Sequence, residues 1–210
     1  MADKALVEAF SALGILLVAP DGLGRTWTFP GAPSQARDDV AFALSVLTDM
    51  ERRFPVDAAR VWATGFSRGG SMAWWLACAG GRRFAAFAPV AGAFWEPLPK
   101  DCSAGPANIL HTHGLSDGTV PMTGRVVGGR FRQGDVMAGV AVWRHVNGCT
   151  REEPDDERQI ADMTCRRWTS CASGREVQLC LHPDGHEIRR DWIASAWAFV
   201  QRVADRSTGR

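Results

Sequence analysis

Short apolar runs alternate with longer amphipathic segments along this chain. Five short runs are rich in β-branched or aliphatic residues and are predicted to be strands. They cover residues 14–20, 60–64, 84–90, 108–113 and 177–181. Four longer segments have apolar residues three or four positions apart and are predicted to be helices. They cover residues 34–54, 68–78, 134–146 and 188–203. This alternation is typical of a mostly parallel sheet with helices on both faces, so the predicted class is α/β.

Turn and capping residues set the boundaries of the first predicted elements. Pro20-Asp21-Gly22 forms a turn after the first strand. Ser34 is the predicted N-cap of the first helix, and Asp38 and Asp39 lie in its first turn, where the helix dipole favours anions. The polar stretch 150–162 is predicted to be a solvated loop.

The composition agrees with one globular domain. The chain has 210 residues, of which 46% are hydrophobic and 22% charged, and it contains no repeat or linker that would divide it. We therefore expect a single domain over residues 1–210. The formal net charge is +1 without a long run of like charges, which argues against a nucleic acid or an anionic membrane as partner. A small or neutral molecule is the expected partner.

Six cysteines occur without a Cys-x-x-Cys pair, so a zinc or redox motif is not indicated and disulfides are expected. Segments 163–171 and 176–182 flank a turn, and a hairpin closed there would place Cys165 opposite Cys180. The alternative interpretation is a pair of buried free thiols.

The motif Gly65-Phe66-Ser67-Arg68-Gly69 matches Gly-x-Ser-x-Gly and lies between a predicted strand and a predicted helix. A serine on such a tight turn presents its Oγ as a nucleophile, and the Arg68 backbone N–H at the helix start can stabilise an oxyanion. The alternative is a chance match, since 22 of the 210 residues are glycine. A Walker phosphate loop is excluded because no Gly-Lys-Ser/Thr follows.

A serine nucleophile needs a base and an acid, which in this kind of fold follow it along the chain. Asp117 lies in the loop after strand 108–113, at the carboxyl end of the sheet, and is the predicted acid. The alternative is a simple Ser-Asp-Gly turn in which Asp117 bonds its own backbone.

His186 is the predicted base. It follows the last strand and a flexible Asp-Gly turn, whereas His182 still belongs to the strand end. The alternative role for His186 is to open the C-terminal helix. His111 and His113 alternate on a buried strand and are expected in the core or behind the site, and His145 is expected on the surface.

From about residue 14 to about residue 192 the chain resembles esterases of the polyhydroxybutyrate depolymerase and feruloyl esterase group of secreted α/β-hydrolases. The matching blocks occur in the family's order at 38–42, 60–72, 84–92, 113–121 and 147–149. The resemblance implies an α/β-hydrolase fold, a triad of Ser67, Asp117 and His186, and ester hydrolysis without a metal or organic cofactor. It also implies disulfides between Cys78 and Cys102 and between Cys149 and Cys171.

The chain also departs from this group. Arg68 stands where the group more often has Asn, and Glu187-Ile188 replace aromatic residues after the base histidine. The early strand whose His-Gly-rich loop gives a second oxyanion donor has no counterpart before residue 14, so the fold is expected to be incomplete at its front. A true start upstream of Met1 is the favoured explanation because it also accounts for disulfide-like cysteines without a signal peptide. A natural fragment and a reclosed sheet are the alternatives.

The leading prediction is a serine esterase that acts on small or oligomeric carboxylic esters through an acyl-enzyme. If its true start lies upstream, we expect it outside the cell or in the periplasm. One alternative is a catalytically impaired remnant that binds or supports another molecule, because loss of one oxyanion donor lowers turnover about a hundredfold or more. A peptidase or an acyltransferase on the same triad is another.

Overall fold

The computed structural model describes residues 4–208, and their centre is a six-stranded sheet in the order β1-β2-β3-β8-β7-β6. The first four of these neighbours run parallel, while β7 and β6 are antiparallel additions. The strands are β1 (Trp62–Phe66), β2 (Ala86–Val90), β3 (Ile109–Gly114), β6 (Asp156–Ile160), β7 (Met163–Trp168) and β8 (Val177–His182). The predicted class, a mostly parallel α/β sheet, is confirmed.

Five α-helices and a small hairpin surround this sheet in the described part of the chain. The helices are α1 (Lys4–Ala12), α2 (Asp39–Arg53), α3 (Arg68–Gly80), α4 (Val136–Asn147) and α5 (Asp191–Thr208). The hairpin pairs β4 (Arg125–Val127) with β5 (Phe131–Gln133). No described helix is both long enough and apolar enough to cross a bilayer.

Side chains alternate between the two faces of the sheet because successive residues of a strand point to opposite sides. On β3, Ile109 belongs to the cluster that α3 and α4 cover, which contains Trp74 and Trp143. The next residue, Leu110, belongs to the cluster that α5 covers, which contains Phe199. Helices therefore cover both faces, and the strands between them are fully buried, as β2 and β3 are at every position.

Three disulfides join all six cysteines of the chain: Cys78–Cys102, Cys149–Cys171 and Cys165–Cys180. Cys165 and Cys180 are direct partners in the register of β7 and β8, as the hairpin argument predicted. The other two bridges are those that the family resemblance implied.

The predicted strand at residues 14–20 is wrong. The segment pairs with no strand, and Leu16 and Val18 are 54% and 39% exposed. In the described part of the chain β1 pairs only with β2, and the segment does not occupy the open edge of β1, so no neighbouring strand satisfies its backbone groups. An apolar run without such a partner does not form a strand.

Two further predictions also need correction. The N-cap of α2 is Asp38, whose carboxylate accepts the Ala41 N–H at 2.9 Å, and not Ser34. The stretch 150–162 is not only a loop, because β6 pairs with β7 within it. Its polar composition hid the strand, since an edge strand can be solvated. Helix α1 and the β4–β5 hairpin were not predicted.

Candidate active site

Ser67 lies at the turn between β1 and α3 with a positive φ of 57°, a conformation that is strained for a residue with a side chain. The turn is tight because backbones approach closely around it. A Cβ on Gly65 would lie 2.3 Å from the Gly69 carbonyl oxygen, and one on Gly70 would lie 2.5 Å from the Val90 oxygen. Gly69 itself has open space at its Cβ position, so only the other two glycines are sterically required.

The structure brings together the three side chains that the sequence singled out. The Ser67 Oγ lies 2.8 Å from His186 Nε2, and His186 Nδ1 lies 2.7 Å from Asp117 Oδ2. A carboxylate can only accept, so the imidazole proton resides on Nδ1 and the Nε2 lone pair accepts the serine hydroxyl. This arrangement prepares Ser67 Oγ for deprotonation by His186.

Comparisons with known proteins identify the fold. Among solved structures, an acetyl xylan esterase from Aspergillus awamori aligns with a TM-score of 0.56 at 14% identity, over 77% of this chain and 67% of that one. The chain has the α/β-hydrolase fold. No protein-family model matches it.

Curated proteins with similar sequences are named feruloyl esterases. Feruloyl esterase C of Emericella nidulans is 34% identical over 122 residues, which is 57% of this chain and 42% of that protein. Feruloyl esterase B of Piromyces equi is 27% identical over 204 residues, which is 91% of this chain and 37% of that protein. The chain thus spans about two fifths of the length of these relatives.

Asp117 is held by backbone donors. Its Oδ1 accepts the N–H groups of Thr119 and Val120, each at 2.8 Å, and its side chain is fully buried. These donors stabilise the carboxylate as an anion and leave Oδ2 for His186. The turn that was the alternative role for Asp117 is therefore real, and the same side chain also contacts the imidazole.

The loops that carry the acid and the imidazole are bonded to each other. Leu115 N–H donates to the His182 carbonyl at 2.8 Å, and Ser116 N–H donates to the Asp184 carbonyl at 3.1 Å. The Ser116 hydroxyl donates to the Pro183 carbonyl at 2.8 Å. Because these bonds cross between the loops after β3 and β8, the separation of Asp117 and His186 is fixed by backbone as well as by their own contact.

Behind Asp117, two buried histidines form a directed chain of hydrogen bonds. Trp74 Nε1 donates to His111 Nδ1 at 3.3 Å, His111 Nε2 lies 2.9 Å from His113 Nδ1, and His113 Nε2 lies 2.7 Å from the Val120 carbonyl. An indole N–H only donates and a carbonyl only accepts, so the two ends of the chain of hydrogen bonds fix one direction of donation. In each histidine Nδ1 accepts and Nε2 donates, which means that both rings are neutral. The Pro89 carbonyl, 3.0 Å from His111 Nδ1, then receives no proton.

Burial keeps both rings neutral. It lowers the pKa of His111 well below its usual value and also lowers the pKa of His113. His113 Nε2 donates to the carbonyl of Val120, and the N–H of Val120 donates to Asp117. His113 Nε2 also lies 3.7 Å from Asp117 Oδ2. The sequence predicted that both histidines lie in the core or behind the site. It did not predict their hydrogen bonds, because only the fold brings Trp74 next to them. His145 is exposed, as expected.

Arg68 begins α3, where the first N–H groups have no acceptor within the helix. Its guanidinium donates to Thr26 Oγ1 at 2.8 Å and lies over the Trp95 ring, 5.4 Å from the centroid. The side chain therefore attaches the segment before α2 to the nucleophile turn. Sequence reasoning had assigned a role only to the Arg68 backbone and missed this contact.

Proposed function

We propose that this chain is a serine esterase in which Ser67 is the nucleophile, His186 the base and Asp117 the orienting acid. The single observation that carries this proposal is the continuous contact from Asp117 Oδ2 through the His186 ring to Ser67 Oγ, at 2.7 and 2.8 Å. The similarity to proteins named feruloyl esterase supports an ester as substrate. We further propose that residues 1–210 form a single α/β-hydrolase domain.

In the first half-reaction, Ser67 Oγ attacks the ester carbonyl carbon while His186 Nε2 takes the hydroxyl proton. Asp117 stabilises the imidazolium that results. The oxyanion of the tetrahedral intermediate accepts a hydrogen bond from the Arg68 backbone N–H. When the intermediate collapses, the bond to the alcohol oxygen breaks, and the alcohol leaves with the proton from His186.

The second half-reaction reverses these roles with water. His186 Nε2 removes a proton from a water molecule, whose oxygen attacks the acyl carbon on Ser67. Collapse of the second tetrahedral intermediate breaks the bond to Ser67 Oγ, which recovers its proton from His186. The products are a carboxylic acid and the free enzyme, so these reaction steps involve no redox change and no cofactor.

The substrate proposed is an ester of a small acyl group or of an aromatic acid on a polymer, in line with the names of the relatives. The site of action proposed is outside the cell or in the periplasm. The three disulfides support it, because such bonds persist in oxidising compartments.

Hydrolysis of p-nitrophenyl butyrate by the purified chain tests this proposal. We expect turnover that falls by about a factor of 10⁴ or more in Ser67→Ala and in His186→Ala. Ser45→Ala is the matched control, because its exposed hydroxyl bonds the Phe42 carbonyl within α2 and lies outside the loops that carry the triad. Equal rates for the wild type and Ser67→Ala would reject the proposal.

A further inference from the structure

The last residue of β8 and the loop that follows it carry a second group of reactive side chains besides His186. One ring nitrogen of His182 and one carboxylate oxygen each of Asp184 and Glu187 lie within 4.8 Å of one another. Imidazole and carboxylates are donors that metal ions accept in proteins. Acidic groups on a surface are common, so their proximity alone does not make a metal site.

The independent observation is the state of His182. Its side chain is fully buried, yet neither ring nitrogen has a hydrogen-bond partner among the described residues. A buried polar group without a partner destabilises a fold, and native proteins contain few of them. His111 and His113 are buried to the same degree, but each has hydrogen-bond partners on both ring nitrogens. His182 therefore differs from the other two buried histidines, and a bound ligand would satisfy its ring nitrogens.

The charge around His182 favours a cation. Arg189 donates to one oxygen each of Asp162, Asp184 and Glu187. Three carboxylates against one guanidinium leave two negative charges on this group. Arg189 contacts one oxygen of Asp184 and one of Glu187, so each carboxylate has a second oxygen to offer an ion.

We propose that His182, Asp184 and Glu187 bind one zinc ion. Zinc accepts one nitrogen and two oxygens from a protein with water as a fourth ligand, whereas calcium and magnesium prefer oxygen alone. Ligand atoms on tetrahedral zinc lie about 3.4 Å apart at the usual bond lengths, so donors that lie up to 4.8 Å apart must close by at most about 1.4 Å. The half-exposed side chains of Asp184 and Glu187 can move that far.

The position of this site gives it a consequence for the triad. His186 lies between Asp184 and Glu187 in the chain, so an ion held by both would fix the loop that presents the imidazole. The three proposed ligands include no residue of the triad, so the ion would act on the loop and not on the reacting atoms. Its binding does not depend on the proposed esterase activity.

Equilibrium dialysis of the chelator-stripped full chain against about 10 µM zinc, with the bound metal counted by mass spectrometry, tests the proposal. We expect about one zinc per chain in the wild type, in Ser67→Ala and in His186→Ala, and a melting temperature that rises with zinc. Asp184→Asn, Glu187→Gln and His182→Gln should each weaken zinc binding about tenfold or more. His145→Gln, a change of an exposed histidine on α4, is the matched control and should bind as the wild type does.

Several results would overturn the assignment. Absence of bound zinc in the folded wild type would do so, as would equal binding by Asp184→Asn and Glu187→Gln, which change partly exposed side chains and spare the core even if His182→Gln fails to fold. Loss of zinc in His186→Ala would place the ion in the triad instead. Calcium bound as tightly as zinc would contradict the choice of metal.

Discussion

The two edges of the six-stranded sheet present different side chains. Strand β6 has the sequence Asp-Glu-Arg-Gln-Ile, with four exposed positions and three charges. Strand β1 has Trp-Ala-Thr-Gly-Phe, with no charge and every position half-buried. Charged side chains on an edge strand discourage pairing with other chains. Strand β6 therefore has the composition of an edge, while β1 has the composition of an interior strand although only β2 pairs with it among the described residues.

This difference bears on the candidate site because β1 leads directly into Ser67. The acid and the base come from loops after β3 and β8, which are interior strands. The nucleophile turn is nevertheless fixed, since Ser67 N–H donates to the Val90 carbonyl of β2 at 3.0 Å. One well-paired neighbour is sufficient to position the turn when the backbone contacts at Gly65 and Gly70 are as close as they are here.

The largest expected effect is on kcat and follows from removing the hydrogen bond between His186 Nδ1 and Asp117 Oδ2. Asp117→Asn places an amide where His186 Nδ1–H needs an acceptor, which favours the tautomer that cannot accept from Ser67. We expect kcat for p-nitrophenyl butyrate to fall about 10⁴-fold. Asp135→Asn, the same change at the N-cap of α4, should leave kcat within about twofold because Asn also caps helices. A small loss in Asp117→Asn would mean that Asp117 does not orient the base.

A lysine introduced on each edge tests the difference in composition directly. Ala63 on β1 packs against the main hydrophobic cluster, so Ala63→Lys should lower the free energy of unfolding by about 2 kcal/mol. Ile160 on β6 is 40% exposed, and Ile160→Lys should change it by less than about 0.5 kcal/mol. Urea denaturation measures both. Equal effects would show that the two edges are equally solvated.

A pH titration of stability tests how the β6 edge is attached. Asp155 accepts the N–H groups of Thr169 and Ser170 at 2.7 and 2.8 Å, and these bonds lower its pKa to about 2. A carboxyl with a lowered folded-state pKa stabilises the fold above its unfolded value, near 4, and loses that contribution as pH falls towards about 2. We expect the free energy of unfolding of the wild type to exceed that of Asp155→Asn by about 1–2 kcal/mol at pH 6 and by almost nothing at pH 2.

The measurement is the free energy of unfolding of the wild type and Asp155→Asn from pH 6 to pH 2. Asp156→Asn, on β6 itself, serves as the neighbouring control. A gap between the wild type and Asp155→Asn that stays constant over this range would contradict the role assigned to the ionised carboxylate.

The smallest expected effect concerns residues 14–20. Leu16 is 54% exposed, so Leu16→Ala should change the free energy of unfolding by less than about 0.5 kcal/mol. Leu179→Ala, the same change at a fully buried position of β8, should cost about 2–5 kcal/mol. A loss of that size at Leu16 would indicate that this segment is buried beside β1 after all.

Local sequence predicted the parts of the fold that depend on neighbours along the chain. The turn around Ser67 follows from the strand before it and the helix after it, and Cys165 faces Cys180 because a turn lies between them. The segment 14–20 was mispredicted because an apolar pattern does not reveal whether a sheet partner exists. Strand β6 was missed for the opposite reason, since its polar residues are typical of a loop.

Distant contacts could not be predicted in the same way. The bond from Trp74 to His111 joins α3 to β3 across 37 positions of the chain, and no local pattern marks it. The missing partners of His182 are equally invisible in the sequence, because they depend on which groups the fold brings near the end of β8. The triad of Ser67, Asp117 and His186 is the exception. It could be predicted across such distances because the three residues follow strand ends in the expected order along the chain.

Fluorophosphonate labelling followed by peptide mass spectrometry tests the central claim most directly, because the probe reacts with serines whose hydroxyl a neighbouring base activates. The account predicts one adduct per chain, located on Ser67, that disappears in Ser67→Ala and is strongly reduced in His186→Ala. An unlabelled Ser67 in the folded wild type, or an adduct on another serine, would contradict it.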